Sequence, residues 1–140
     1  MGETMSYSGP QYGLSSSSSS VGRWGETLAC SILQDQGFTL LHKNWRPQPG
    51  PDGLRLRGEI DCVMVDQDLN LVFVEVKTRT GEGFGHPFES ITRDKGQKLR
   101  ELAYAWCSEN TGDYRGLRID AVAIWGTPDH FTFEHRKAVV

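Results

Sequence analysis

Apolar residues recur every fourth position from Trp24 through Leu28 to Ile32, with Ala29 and Leu33 beside them. That period marks one face of an α-helix. It predicts a helix over 21–36, with Gly37 where a left-handed cap is wanted. Phe38 to Arg46 reads as a strand. Residues 47–53 hold three prolines and two glycines and read as a loop. Farther on, Ile60, Cys62 and Met64 alternate with Asp61, Val63 and Val65. After the polar cluster 66–70, Val72, Val74 and Val76 alternate with Phe73, Glu75 and Lys77. Period two on both sides of a turn predicts a β-hairpin. Ile60, Cys62 and Met64 are expected on one face. Thr80 to Pro87, with Gly81, Gly83 and Gly85, reads as a loop. Thr92 can cap a second helix whose buried face is Leu99, Leu102, Ala103 and Trp106, with Gly112 at or beyond its end. Leu117–Trp125 and Phe131–Val139 read as two further strands. The order helix, three strands, helix, two strands suits an α/β sheet covered by helices.

Residues 1–20 have no such period and end in six serines. Nothing in them offsets their own ordering entropy. They are expected to be a disordered Ser-rich tail, with a single domain over 21–140.

The hairpin is where chemistry enters. Each strand has one wholly apolar face and one on which apolar residues give way to charge: Glu59 and Asp61 on the first, Glu75 and Lys77 on the second. Carboxylates gathered at one spot repel unless one keeps a proton or a cation sits between them. A hard divalent cation takes oxygen ligands of this kind. The plainer alternative is a solvated face with a Glu–Lys cross-strand pair. The continuous apolar run Leu71–Val74 suggests a strand buried on both faces, where charges at the end need a reason. Glu26, in the first turns of the first helix, has an adequate structural role: a carboxylate there gains ~0.3–1 kcal/mol from the helix dipole.

Composition narrows the setting. A formal net charge of -3 and a pI of about 5.8 argue against indiscriminate DNA binding, although a local basic patch remains open. Arg93, Lys95, Lys98 and Arg100 near the start of the second helix form such a patch, or simply a solvated face. Cys30, Cys62 and Cys107 have no metal-ligand spacing, and their apolar neighbours suggest buried thiols. No run approaches a membrane span and no signal peptide is legible, so a cytoplasmic protein is expected. His86 is a candidate proton shuttle or an ordinary exposed loop histidine.

Asp61 followed by Glu75-x-Lys77 is similar to the PD-(D/E)XK signature of restriction-endonuclease-like nucleases. Gly22-x-x-Gly25-Glu26, Asn44-x-Arg46, Gly58-Glu59-Ile60-Asp61, Phe73-Val74-Glu75-Val76-Lys77-x-Arg79 and Arg118-Ile119-Asp120-Ala121-Val122 together resemble the bacterial family of YraN type, distantly similar to archaeal Holliday junction resolvases. The likeness covers about residues 21–137. It implies a restriction-endonuclease-like mixed sheet of order α-β-β-β-α-β, with an extra C-terminal strand. It implies hydrolysis of phosphodiester bonds with Mg²⁺ or Mn²⁺ held by Asp61 and Glu75, the Val76 carbonyl beside them and Glu26 completing the sphere. Lys77 would position water or offset charge. Arg79, Arg93, Lys95 and Lys98 would meet phosphates of nucleic acid, expected to be DNA, branched DNA included. A homodimer is a further implication, since junction-cutting relatives pair. Two alternatives stand beside this one: a non-catalytic nucleic-acid-binding module, and a protein-interaction scaffold with an idle site.

Overall fold

The computed structural model describes residues 2–8, 18–80 and 85–140. The elements run β1 (Gly2–Ser8), α1 (Ser18–Asp35), β2 (Thr39–Trp45), β3 (Ile60–Val65), β4 (Asn70–Arg79), a short 3₁₀ turn (Pro87–Ser90), α2 (Arg93–Glu109), β5 (Gly116–Thr127) and β6 (His130–Arg136). Among the described residues six strands form one mixed sheet in the order β1-β6-β5-β4-β3-β2. Only the central β4–β5 pair is parallel, because it is the pair joined through α2 rather than by a turn. After β1, the order α-β-β-β-α-β-β is the restriction-endonuclease-like α/β arrangement expected. Among the described residues, no helix is long and apolar enough to cross a membrane.

The helices cover opposite faces. Trp24, Leu28, Ile32 and Leu33 of α1 pack on Cys62, Met64, Val72, Val74 and Val76, and on Val122, Ile124, Phe131 and Phe133. Leu99, Leu102, Ala103 and Trp106 of α2 pack on Val63, Leu71, Phe73 and Ile119. Thr92 caps α2, its Oγ1 accepting from the Lys95 amide at 3.2 Å. The β4 strand is buried from Leu71 to Val76, as its apolar run demands.

Four expectations change. Gly2–Ser8, expected to be tail, is an edge strand antiparallel to β6; ladder hydrogen bonds and the packing of Met5 on the α1-side core order it without any strong apolar period. Ser18–Ser20 belong to α1, and residues 9–17 of the expected tail lie outside the described residues. Ile60 leaves the face of Cys62 and Met64 and joins the α2-side core. The reason lies in the ladder: β3 and β4 pair only from Cys62↔Val74 to Val65↔Leu71, so the start of β3, held by Trp45 of β2 alone, twists away from β4. Lastly, Cys30 and Cys62 are buried but Cys107 is exposed, being on the solvent side of α2.

Candidate metal and phosphate site

The site sits where β3 and β4 part. Beyond Cys62↔Val74 the two strands no longer exchange ladder bonds, and the Val76 amide needs another acceptor. Asp61 supplies it: Oδ2 accepts from the Val76 N–H at 2.8 Å. The side chain thus stands in for a missing strand partner and is fixed in the gap, 8% exposed.

Around it the fold collects carboxylates. Glu26 of α1, Glu59 just before β3, and Asp61 each offer an oxygen, and the three lie within 4.8 Å of one another. Metal–oxygen bonds of about 2.0–2.6 Å put opposite ligands around one hard cation about 4–5 Å apart, so the spacing suits a shared ion. Glu26 reaches this point because α1 lies close on β4; a side chain at Gly25 would collide with Thr78. Asn44, held in the left-handed region at φ 53°, donates from Nδ2 to Glu26 Oε2 at 2.8 Å and to Glu59 Oε1 at 2.9 Å. Arg46 pairs with the other oxygen of Glu59 through both Nε and Nη2, each at 3.0 Å. Asn44 lies in the last residues of β2 and Arg46 just beyond it, and the Asn-x-Arg pair of the resemblance was the legible signal for a role they had not been given.

Glu75 completes the group from β4. Burial, then a hydrogen bond with Glu75, then the charge of Glu75 push the Asp61 carboxyl up to about 9, against the opposing pull of the Val76 amide. Glu75 therefore faces Asp61 across the parted strands. Glu75 is 5% exposed. Its Oε2 makes no hydrogen bond, yet Lys95 Nζ lies 2.9 Å away as an ion pair. Distance without alignment gives charge compensation but not a hydrogen bond. Lys95 was expected to meet nucleic-acid phosphates. It is half-buried and pairs with Glu75, because the first turn of α2 lies near the end of β4 and the buried carboxylate needs a cation.

The other expected residues separate. Lys77 follows Glu75 on the same side of β4 and is half-buried; among the described residues it makes no ion pair. Arg79 is half-buried and donates from Nη1 to the Thr78 carbonyl at 3.0 Å. Arg93 is exposed and, with Arg100, borders a hollow at the start of α2. Lys98 lies 4.0 Å from Glu101 on the same helix. His86 is not beside the cluster chemically: its Nδ1 accepts from the Phe88 amide at 3.1 Å and its Nε2 meets Glu134 at 2.8 Å. That geometry needs a proton on Nε2, whose contact pins the loop to β6, while Nδ1 caps the short 3₁₀ turn.

Chemically, the arrangement holds a proton where it could hold a cation. Four carboxyl groups converge, one stays neutral, and one borrows an ammonium from α2. A divalent cation could replace both devices, since it would favour the ionised Asp61.

A family model described as "Uncharacterised protein family UPF0102" matches residues 25–124. The chain is 39% identical over 120 residues to a UPF0102 protein of Nocardia farcinica, covering 85% of this chain and 87% of that one. It is 42% identical over 122 residues to one of Acidothermus cellulolyticus, covering 80% and 86%. It is 45% identical over 105 residues to one of Clavibacter michiganensis, covering 74% and 80%.

Proposed function

This chain belongs to the UPF0102 family, and we propose that it is a metal-dependent nuclease of PD-(D/E)XK type, hydrolysing phosphodiester bonds in nucleic acid. One observation carries the reading: Asp61 is fixed in the gap between β3 and β4 with oxygens of Glu26 and Glu59 within 4.8 Å. So costly a gathering of carboxylates is retained where a cation is to be bound.

Asp61, Glu26 and Glu59 would hold Mg²⁺ or Mn²⁺, with Glu75 turning from Lys95 to support them. When bound, such an ion lowers the pKa of water and polarises a phosphoryl oxygen. The residues of the chain supply the rest. Asn44 and Arg46 keep Glu26 and Glu59 from swinging apart. Lys77 brings an ammonium to the Glu75 side of the sheet, where it offsets charge on the reacting phosphate. In the reaction, a water oxygen adds to phosphorus, the bond to one sugar oxygen breaks, and that oxygen leaves with a proton.

A specific contact favours a second reading. Lys95 already neutralises Glu75, as a module that binds nucleic acid without cutting it would require. The test is incubation of purified protein with duplex, single-stranded and branched substrates in Mg²⁺, Mn²⁺ or EDTA. Metal-dependent cleavage that Asp61→Asn removes is expected. Binding without cleavage on every substrate would leave the second reading.

A further inference from the structure

The segment between β2 and β3 is long, and it is built. Pro47 is buried and the Gln48 amide donates to Glu109 Oε2 of α2 at 3.2 Å. At the tip, the Gly53 amide donates to the Gly50 carbonyl at 3.0 Å and the Gly50 amide to the Leu54 carbonyl at 2.7 Å. The Leu54 amide donates to Asp52 Oδ1 at 2.9 Å. Gly53 adopts φ 78°, which a residue with a Cβ resists. On the return arm Leu56 packs on the α2-side core and Gly58 lies against Leu102. Pro49 and Pro51 stiffen the outgoing arm.

This braced turn presents a leucine to water. Leu54 is 73% exposed, the most exposed large apolar side chain described. Arg55 and Arg57 beside it are exposed, and among the described residues neither makes an ion pair. Asp52 accepts from the turn and Glu59 pairs with Arg46 and Asn44, so the tip presents an apolar point followed, on the return arm, by these two cations. A rigid loop gains nothing in stability from displaying a leucine this way. The chemistry it fits is a nucleic-acid duplex, where apolar side chains enter between bases and arginines hold the flanking phosphates.

We infer that Leu54 is a wedge that recognises an interruption of base stacking in duplex nucleic acid, with Arg55 and Arg57 gripping the backbone on the side of the return arm that leads to Glu59. The inference rests on the nuclease reading for its cutting site alone, because the same arm runs from Leu54 straight into Glu59. Five residues span at most about 17 Å, and phosphates of one strand advance about 3.4 Å per nucleotide. The bond cut therefore lies within about five nucleotides of the interruption.

The test uses the full chain and two DNA duplexes carrying 2-aminopurine, one beside a single-nucleotide gap and one continuous, in EDTA so that nothing is cut. The wild type is expected to prefer the gapped duplex by about tenfold and to raise the fluorescence of the adjacent base by unstacking it. Leu54→Ala should lose both effects and Leu54→Met keep them, while circular dichroism stays unchanged because the side chain is exposed. Arg55→Gln with Arg57→Gln should weaken binding to both duplexes and reduce the salt slope by about two. Undiminished preference and fluorescence in Leu54→Ala, an unchanged salt slope in the arginine variant, or no binding to either duplex overturns the wedge. Asp61→Asn separates the two claims: a wedge signal in that variant, with no cleavage by the wild type in Mg²⁺, sinks the nuclease and keeps the wedge. Metal-dependent cleavage indifferent to Leu54 does the reverse.

Discussion

Strand β3 has an aspartate at each end, and the two are treated in opposite ways. Asp66, just past its end, accepts from the Asp68 and Asn70 amides and from Asn70 Nδ2 at 2.9–3.0 Å, and pairs with Arg118 at 2.6 Å. Burial works against it, but the bonds from Asn70 and Arg118 hold its carboxyl down to about 2. Arg118 also meets Asp120 at 2.9 Å, and Asp120, fully buried, accepts from His135 at 2.8 Å and from the Ala138 amide at 3.0 Å. Apart from the buried Arg118 Nη2, that network is closed. Asp61, at the other end, has one amide and three neighbouring carboxylates, and is pushed up to about 9. One end of the sheet uses charge to lock strands together. The other gathers carboxylates with Lys95 as the cation paired to Glu75, and that imbalance is what the proposed site is read from.

Four measurements can break or sharpen this contrast. The largest effect is expected at the locked end. Asp120→Ala strands Arg118 and His135 in the interior and should cost about 3–5 kcal/mol in urea denaturation. A loss under about 1 kcal/mol would mean the network is no lock. At the open end, Lys77→Ala should lower turnover by about 10²–10³ and leave the urea midpoint unchanged; a large loss of stability there would make Lys77 a support instead.

Third comes the pH dependence, whose sign differs between the two aspartates. Folded Asp61 keeps its proton between about pH 4 and 9, where the unfolded chain has released it, so its share of stability falls as pH rises through that window. Asp61→Asn should therefore melt higher than the wild type at pH 8, by about 3–6 °C, with the gain fading toward pH 4. Asp66 binds its proton less tightly folded than unfolded, so its stabilisation is present above about pH 4 and is lost as pH falls toward 2. Asp66→Asn should lower the melting point at pH 7 and converge with the wild type in strong acid. Equal behaviour of the two variants would erase the contrast. The smallest effect concerns β1: a chain beginning at Ser18 should melt about 2–4 °C lower, since Met5 and one edge ladder are lost. An identical melting point would show that β1 adds nothing.

Much of this was legible in order along the chain. Trp24, Leu28 and Ile32, or Leu99, Leu102 and Trp106, announce their helices because a helix face is written locally. Asp61 and Glu75 were legible as a pair because a hairpin brings near neighbours together. What stayed hidden was settled between distant segments. Lys95 reads as a surface cation until α2 is laid over Glu75. Asp120 and His135 meet only through the β5–β6 register. Glu59 reads from the sequence only as a further carboxylate on the face of Asp61, and the structure gives it Arg46 and Asn44 as well as a place in the cluster. β1 escaped because an edge strand needs a partner's backbone more than a pattern of its own.

The parallel pairing of β4 with β5 also sets the order in which the molecule can assemble. The β3–β4 and β5–β6 hairpins close over short turns, whereas Asn70 must find Gly116, and Arg79 must find Trp125, across all of α2. Contacts so far apart in sequence are slow to form. Asp61 and Glu75 are thus brought together by an early hairpin, while Lys95, the cation that compensates them, arrives with the late crossover. In that interval the hairpin carries its repulsion alone, so refolding should quicken with salt or on lowering the pH.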